Sequence, residues 1–228
     1  ALTLSFSSSD NTYANLSDQT VSVTTTDDDT AGVTLSKTSA SVSEDGTTTT
    51  DSFTVVLATQ PAADVVVSIA NADSGEVSVS PSSLTFTASN WNTAQTVSLA
   101  GVDDSSVDGD QTTALTLSFS SSDNTYANLS DQTVSVTTTD DDTAGVTLSK
   151  TSASVSEDGT TTRDSFTVVL TTQPTADVVV SIANADTGEV SFSPTGLTFT
   201  SANWNTPQTI GLAGVDDSSV DGDQTTAL

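Results

Sequence analysis

The chain has 228 residues, 30 acidic side chains, three basic ones (Lys37, Lys150 and Arg163) and a formal net charge of -27. It contains no Cys, Met or His, which excludes thiol and imidazole nucleophiles, a Ser-His-Asp triad and any His/Cys zinc site. Three cations cannot neutralise a run of phosphates or hold an anionic bilayer, so nucleic acid and charged membrane surfaces are excluded as partners. No apolar run approaches the ~20 residues of a membrane span, and no signal peptide is expected in this segment.

In chain order the pattern is β throughout. Apolar and polar residues alternate from Leu2 to Phe6 and in Val21-Ser22-Val23. Val33-Thr34-Leu35, continued by Ala40-Ser41-Val42, predicts a single strand. Further strands are predicted at Phe53–Leu57, Val65–Ile69, Val77–Val79, Leu84–Phe86, Thr96–Leu99, Leu115–Phe119 and Val134–Val136. Turn chemistry separates them at Glu44-Asp45-Gly46, Gln60-Pro61, Asp73-Ser74-Gly75, Ser80-Pro81 and Asp108-Gly109-Asp110. No apolar stripe at helical spacing is present. Seven or eight short strands in about 113 residues predict an all-β antiparallel sandwich. Trp91, Trp204, Tyr13 and Tyr126 are expected to pack in its core or along its edges.

The sequence repeats with a period of 113 residues. Residues 1–113 and 114–226 are identical at 101 of 113 positions, and Ala227-Leu228 begins a third copy. That period is too long for a solenoid unit and fits one domain per copy. Val21-Ser22-Val23 leads into Asp27-Asp28-Asp29, and the next strand starts at Val33. The boundary is therefore placed at this acidic triplet and at Asp140-Asp141-Asp142. Residues 1–29 read as the last two strands of a preceding repeat. Residues 30–142 read as a complete sandwich, and 143–228 as a repeat lacking its last two strands. Two arrangements follow: a window of one long continuous chain, or head-to-tail strand complementation between copies.

The acids are clustered, not spread. They gather at Glu44-Asp45, Asp73 with Glu76, Asp103-Asp104, Asp108 with Asp110, and Asp140–Asp142. The Glu44 turn, the Asp103–Asp110 loop and the triplet are expected to share the end of the sandwich that faces the next repeat. Packed carboxylates repel unless a cation intervenes. An all-oxygen donor set on loops suits Ca²⁺ better than Mg²⁺. The local strings match neither an EF-hand nor a Gly-rich nonapeptide repeat. The alternative is an acidic surface that serves solubility.

Three stretches carry a family resemblance: Val42-Ser43-Glu44-Asp45-Gly46, Val102-Asp103-Asp104-Ser105-Ser106-Val107-Asp108-Gly109-Asp110, and Asp140-Asp141-Asp142. The repeat resembles a Calx-β-type domain, the Ig-like sandwich of sodium–calcium exchangers, integrin β4 and very large bacterial surface proteins. The resemblance implies Ca²⁺ ligation by Glu44, Asp103, Asp104, Asp108, Asp140, Asp141 and Asp142, with Asp73 or Glu76 a weaker match. The acid at Asp110 joins the set by its place beside Asp108, in a loop where the family is often Glu-rich. The same positions recur as Glu157, Asp216, Asp217 and Asp221 in the second copy, and as Asp27, Asp28 and Asp29 in the leading segment. The phrase Leu84-Thr85-Phe86-Thr87-Ala88-Ser89-Asn90-Trp91-Asn92 before Gln95-Thr96-Val97 resembles repeats of giant bacterial adhesins and extracellular matrix proteins.

These readings imply a tandem extender of a secreted or cell-surface filament, stiffened by Ca²⁺ at domain junctions. Its partners would be neighbouring copies of the same repeat and a cell-surface or matrix component. The alternatives are a fibre subunit assembled by strand complementation and a module that binds glycan or protein. Exposed Trp91 and Trp204 in a groove would favour the binding module. An enzyme is not expected, because adjacent carboxylates repeated in every copy look like ion ligands. Lys37 and Lys150 are the lysines available to a Lys–Asn isopeptide, and Asn15-Leu16-Ser17 and Asn128-Leu129-Ser130 are glycosylation-type triplets.

Overall fold

A computed structural model describes residues 1–220 and 222–228. Strands β1 (Leu2–Leu4) and β2 (Gln19–Val21) form a ribbon, with the one-turn helix α1 (Asn11–Ala14) between them. There follow β3 (Val33–Leu35), β4 (Ser39–Ser43), β5 (Asp51–Leu57), β6 (Val65–Asn71), β7 (Val77–Ser80), β8 (Ser83–Phe86), β9 (Gln95–Gly101) and β10 (Gln111–Ser121). A second one-turn helix, α2 (Asn124–Ala127), precedes β11 (Gln132–Thr139). The chain continues through β12 (Val146–Leu148), β13 (Arg163–Leu170), β14 (Val178–Ser181), β15 (Val190–Ser193), β16 (Gly196–Phe199) and β17 (Gln208–Gly214).

Strands β3 to β11 build a closed sandwich. One sheet has the order β4-β11-β10-β6-β8 and the other β3-β5-β9-β7. Period-2 alternation dictates the packing. On β5, Phe53, Val55 and Leu57 point inward; on β10, Thr113, Leu115 and Leu117 do; on β11, Val134, Val136 and Thr138 do. Seventeen apolar side chains are buried in this core, each worth roughly 1.5–3 kcal/mol of transfer free energy if large and fully covered. Strands β12 to β17 repeat the scheme incompletely, in a four-stranded sheet β12-β13-β17-β15 and a pair β14-β16. Their core cluster holds five buried apolar side chains among the described residues.

Two strand expectations are corrected. Val33–Leu35 and Ala40–Val42 are not one strand. β3 pairs with β5 in one sheet, and β4 pairs with β11 in the other. The polar run Ser36-Lys37-Thr38 carries the chain across, with Ser36 N donating to Thr54 O at 3.0 Å and Lys37 paired with the Asp51 carboxylate. The sandwich is also not wholly antiparallel, because the β4–β11 ladder is parallel. The one-turn helices escaped the periodicity reading because four residues carry no stripe.

Lys37 and Lys150 form ion pairs with Asp51 and Asp164, so an aspartate and not an asparagine stands opposite each. Trp91 packs against the core. Tyr126 is fully buried, and its hydroxyl donates to Thr59 O at 2.6 Å while accepting from Thr59 N at 3.2 Å. Asp123 caps α2 through Thr125 N at 3.0 Å and also accepts from Ala62 N at 2.8 Å. These contacts pin the β10–β11 connection to the far end of the sandwich. Tyr13, expected in a core or along an edge, is exposed on the isolated ribbon. Among the described residues no helix is long and apolar enough to cross a membrane.

Gly101 closes β9 directly under the Ser43–Glu44 backbone. A Cβ there would overlap the Ser43 carbonyl oxygen and lie 2.9 Å from Glu44 Cα. Gly101→Ala is expected to destabilise the sandwich by about 1–3 kcal/mol through overpacking. A lowered urea midpoint with an unchanged m-value checks this; an unchanged midpoint refutes the close approach.

Candidate metal centre

Three strand ends deliver the acids. β4 ends at Ser43 and places Glu44 inside, only 4% exposed. Glu44 N donates to Thr139 O at 3.0 Å, which ties it to the exit of β11. Asp45 faces the other way. Its carboxylate accepts from Ser43 Oγ at 2.6 Å and from Thr47 N and Thr48 N at 2.8 Å each. These bonds, the Ser43 hydroxyl first, hold its carboxyl well below the usual range and fix the turn that Gly46 completes at a φ of 67°.

β9 delivers Asp104. Val102 N donates to Glu76 O at 3.0 Å, and Asp104 N donates to Glu44 Oε1 at 3.1 Å. Asp104 Oδ1 accepts from Ser106 N at 2.5 Å. β11 delivers the triplet. Asp140 accepts from Gly109 N at 2.8 Å and from Asp142 N at 2.8 Å, while its own N–H donates to Asp110 Oδ1 at 3.3 Å. Asp140 is thus the hinge between the Asp108–Asp110 loop and the triplet, and it turns Asp142 inward.

The result is a cluster of Glu44, Asp104 and Asp142. Each offers a carboxylate oxygen, and these oxygens lie within 4.8 Å of one another. Asp142 Oδ2 is buried with no hydrogen-bond partner, a costly state for a charged oxygen. Burial, followed by the charges of Asp104, Asp140 and Asp108, pushes the Glu44 carboxyl up to about 7 against the Asp104 N–H bond. Burial raises Asp142 too, with Asp140 and Asp141 adding repulsion. Glu76 is raised by burial and then by Asp108 and Asp73. An orphaned buried oxygen and carboxyls that resist ionisation mark a place short of positive charge. Oxygens within 4.8 Å fit one sphere around a hard cation, whose oxygen distances are about 2.3–2.6 Å for Ca²⁺. The residues fit such an ion.

The other candidate ligands fall in three groups. Asp103, Asp108 and Asp141 are exposed at the rim, and Asp110 binds the Asp140 backbone. In the second copy, Glu157 Oε1 accepts from Asp217 N at 3.2 Å, which repeats the Glu44–Asp104 bond. Asp216 is exposed, and Asp221 lies outside the described residues. Asp27, Asp28 and Asp29 are exposed on the ribbon, where Asp29 N donates to Asp27 Oδ1 at 3.1 Å. Reading acids alone missed Gly101 and Thr139, which carry no charge yet position Glu44.

The rim also touches the next repeat. Gln173 N donates to Ser105 O at 2.7 Å, and Ser106 bridges to Gln173 in parallel fashion. The Asp103–Asp110 loop therefore serves the acid cluster and the contact between sandwiches.

No protein-family model matches the chain, and no curated protein sequence matches it. Among solved structures it is similar to the calcium binding domain CBD12 of CALX1.1, with a TM-score of 0.39 and 15% identity over 79% of this chain and 74% of that one. CBD12 from CALX1.2 gives a TM-score of 0.38 and 16% identity over 82% and 76%. The periplasmic chaperone SfaE gives 0.38 and 10% identity, over 48% of this chain and 57% of its own length. Such likenesses concern sandwich architecture and assign no residue a role.

Glu44 holds its proton more tightly folded than unfolded. Between pH 4.5, the ordinary value, and about 7, the folded value, the folded state binds the extra proton and loses stability as pH rises. A shift of that size is on the order of 3 kcal/mol. In chelator the melting temperature is expected to fall from pH 5 to pH 7.5, and Glu44→Gln is expected to flatten that fall. A wild-type profile level over this range refutes the buried carboxyl.

Proposed function

We propose that this chain is a structural spacer: tandem β-sandwiches of an extracellular or cell-surface filament or adhesin, stiffened by Ca²⁺ at the junction between neighbours. The observation that carries the reading is the shared use of one loop. Asp104 belongs to the three-carboxylate cluster, and two residues on, Ser105 and Ser106 contact Gln173 of the following sandwich. Asp142 lies on the connection between β11 and β12 itself.

The mechanism is electrostatic. Without a cation, Glu44, Asp104, Asp140 and Asp142 repel, and both the loop and the connection are pushed apart. A cation held by Glu44, Asp104 and Asp142, with Asp103, Asp108, Asp140 and Asp141 at the rim, ties the connection to the loop that touches the next sandwich. The junction then bends less. Binding to the folded state alone also adds stability by mass action. Oxygen-only donors on loops favour Ca²⁺ over Mg²⁺, which keeps more of its waters. The absence of Cys suits a long exported chain that folds without disulfide exchange. The reading contains no catalytic step. Its partners are further copies of the repeat and a surface or matrix component.

Trp91 packs against the core instead of lining a groove, so the glycan-platform alternative lacks its aromatic surface. Calorimetric titration of the chain with Ca²⁺ is expected to show saturable binding, a raised melting temperature and a longer maximum dimension in small-angle scattering. Asp104→Asn with Asp142→Asn is expected to abolish all three. Equal stabilisation by matched ionic strength of NaCl would sink the proposal, because screening and not ligation would then account for it.

A further inference from the structure

The ribbon 1–29 and the segment 114–142 have the same sequence and opposite fates. Their hairpin registers are identical: Leu2 faces Val21 as Leu115 faces Val134, and Leu4 faces Gln19 as Leu117 faces Gln132. Yet Leu2 and Leu4 are 63% and 48% exposed, while Leu115 and Leu117 are 0%. Tyr13 is 59% exposed and Tyr126 1%. The difference lies in the partner. The segment 114–142 sits between β4 and β6, whereas the ribbon pairs only with itself.

The second sandwich has the matching gap. The residues that correspond to β4, Ser152–Ser156, form no strand, and β14 has four residues where β6 has seven. An apolar groove of about 860 Å³ opens there, lined by Val146, Phe166, Val168, Val178 and Val180 among others. Ala185 N already donates to Ala227 O at 3.3 Å, as Ala72 N does to Ala114 O at 3.2 Å. Leu228, the counterpart of Leu115, lies in the groove. The first seat is thus taken in the register of the closed sandwich, and the seats beyond it are open.

The geometry points to docking of the ribbon of a second copy of this chain into that groove, from Thr3 onward, as the missing strand pair. The closed sandwich supplies the register. Leu4 would face Ile182, Phe6 would face Val180 and Ser8 would face Val178, as Leu117, Phe119 and Ser121 face Ile69, Val67 and Val65. Thr24 would face Ser154 in the parallel ladder, as Thr137 faces Ser41. The Tyr13 hydroxyl would reach the Thr172 backbone, as Tyr126 reaches Thr59. Donor and acceptor are on different surfaces of one chain, so the contact is heterologous and propagates head to tail.

Docking would also bring Asp27–Asp29 to Glu157 and Asp217, in the arrangement that joins Asp140–Asp142 to Glu44 and Asp104. That last step rests on the calcium reading, whereas strand docking does not, so docking is measured in chelator.

The chain has no cysteine, which makes an introduced pair specific. Ser5 and Ser181 would be opposite one another, as Ser118 and Ser68 are. Oxidised Ser5→Cys/Ser181→Cys is expected to give a ladder of covalent multimers of the 23.0 kDa chain on a non-reducing gel. Ser5→Cys/Ser191→Cys, with the second cysteine on the opposite sheet, is expected to give none. In the ultracentrifuge the unmodified chain is expected to gain mass with concentration, and Leu4→Asp/Phe6→Asp, at exposed positions, is expected to lose that gain. A monomer at every concentration, multimers indifferent to Leu4→Asp/Phe6→Asp, or a disulfide closed within one chain would each overturn the proposal. Calcium bound per chain is expected to double on assembly. Multimers without that increase would refute the completed second centre and leave docking standing.

Discussion

Everything in the closed sandwich depends on the β10–β11 hairpin entering between β4 and β6. That insertion buries Leu115, Leu117, Val134 and Val136 and so completes the core. It carries Tyr126 to Thr59 at one end. At the other end it carries Asp142 to Glu44 and Asp104. Closure of the fold and assembly of the acid cluster are therefore one event. The second copy shows the reverse: without the hairpin its counterpart of β4 has no ladder, although the residues are the same.

The electrostatics follow from this closure. A carboxylate at the end of an open sheet would be solvated and cheap. Glu44 is instead covered by the exit of β11 and faces Asp104, Asp140 and Asp108. The hydrophobic gain of the hairpin outweighs the desolvation and repulsion it imposes, since a dozen or more apolar side chains gain cover against a few buried acids. The sandwich thus holds a charge deficit that a cation relieves. Asp45, one residue away, escapes it because its own turn supplies hydroxyl and amide donors.

The fold was legible where alternation is clean. Phe53–Leu57, Val65–Ile69 and Leu115–Phe119 are strands because every second residue is apolar and turn residues bound them. It was illegible where a break is short. Ser36-Lys37-Thr38 reads as a polar interruption of one strand, yet it moves the chain between sheets. The parallel partnership of β4 is a long-range choice that no local pattern encodes. In the candidate centre, Glu44, Asp104 and Asp142 were legible as acids near turns. Which acids face inward was not, because Asp45 and Asp140 direct their oxygens at nearby backbone and hydroxyl donors. Gly101 carries no chemical signal, and only the approach of Ser43 explains it.

Near-identity between repeats has a cost that the acids offset. With 101 of 113 positions shared, any copy's hairpin fits any copy's gap, and tandem identical domains are prone to exchange strands during folding. The hairpin ends in three aspartates, and its seat begins beside Glu44 or Glu157. A wrong insertion therefore brings like charges together before the apolar contacts are complete. A net charge of -27 adds long-range repulsion between chains. Local insertion has the advantage of a short connection, β9 to β10 being joined by nine residues, 102–110, so its effective concentration exceeds that of any neighbour. Where cation is plentiful the repulsion is relieved and the seat accepts whichever hairpin is present. In this scheme the acids make the choice of partner sensitive to calcium, while the apolar strands make the fit.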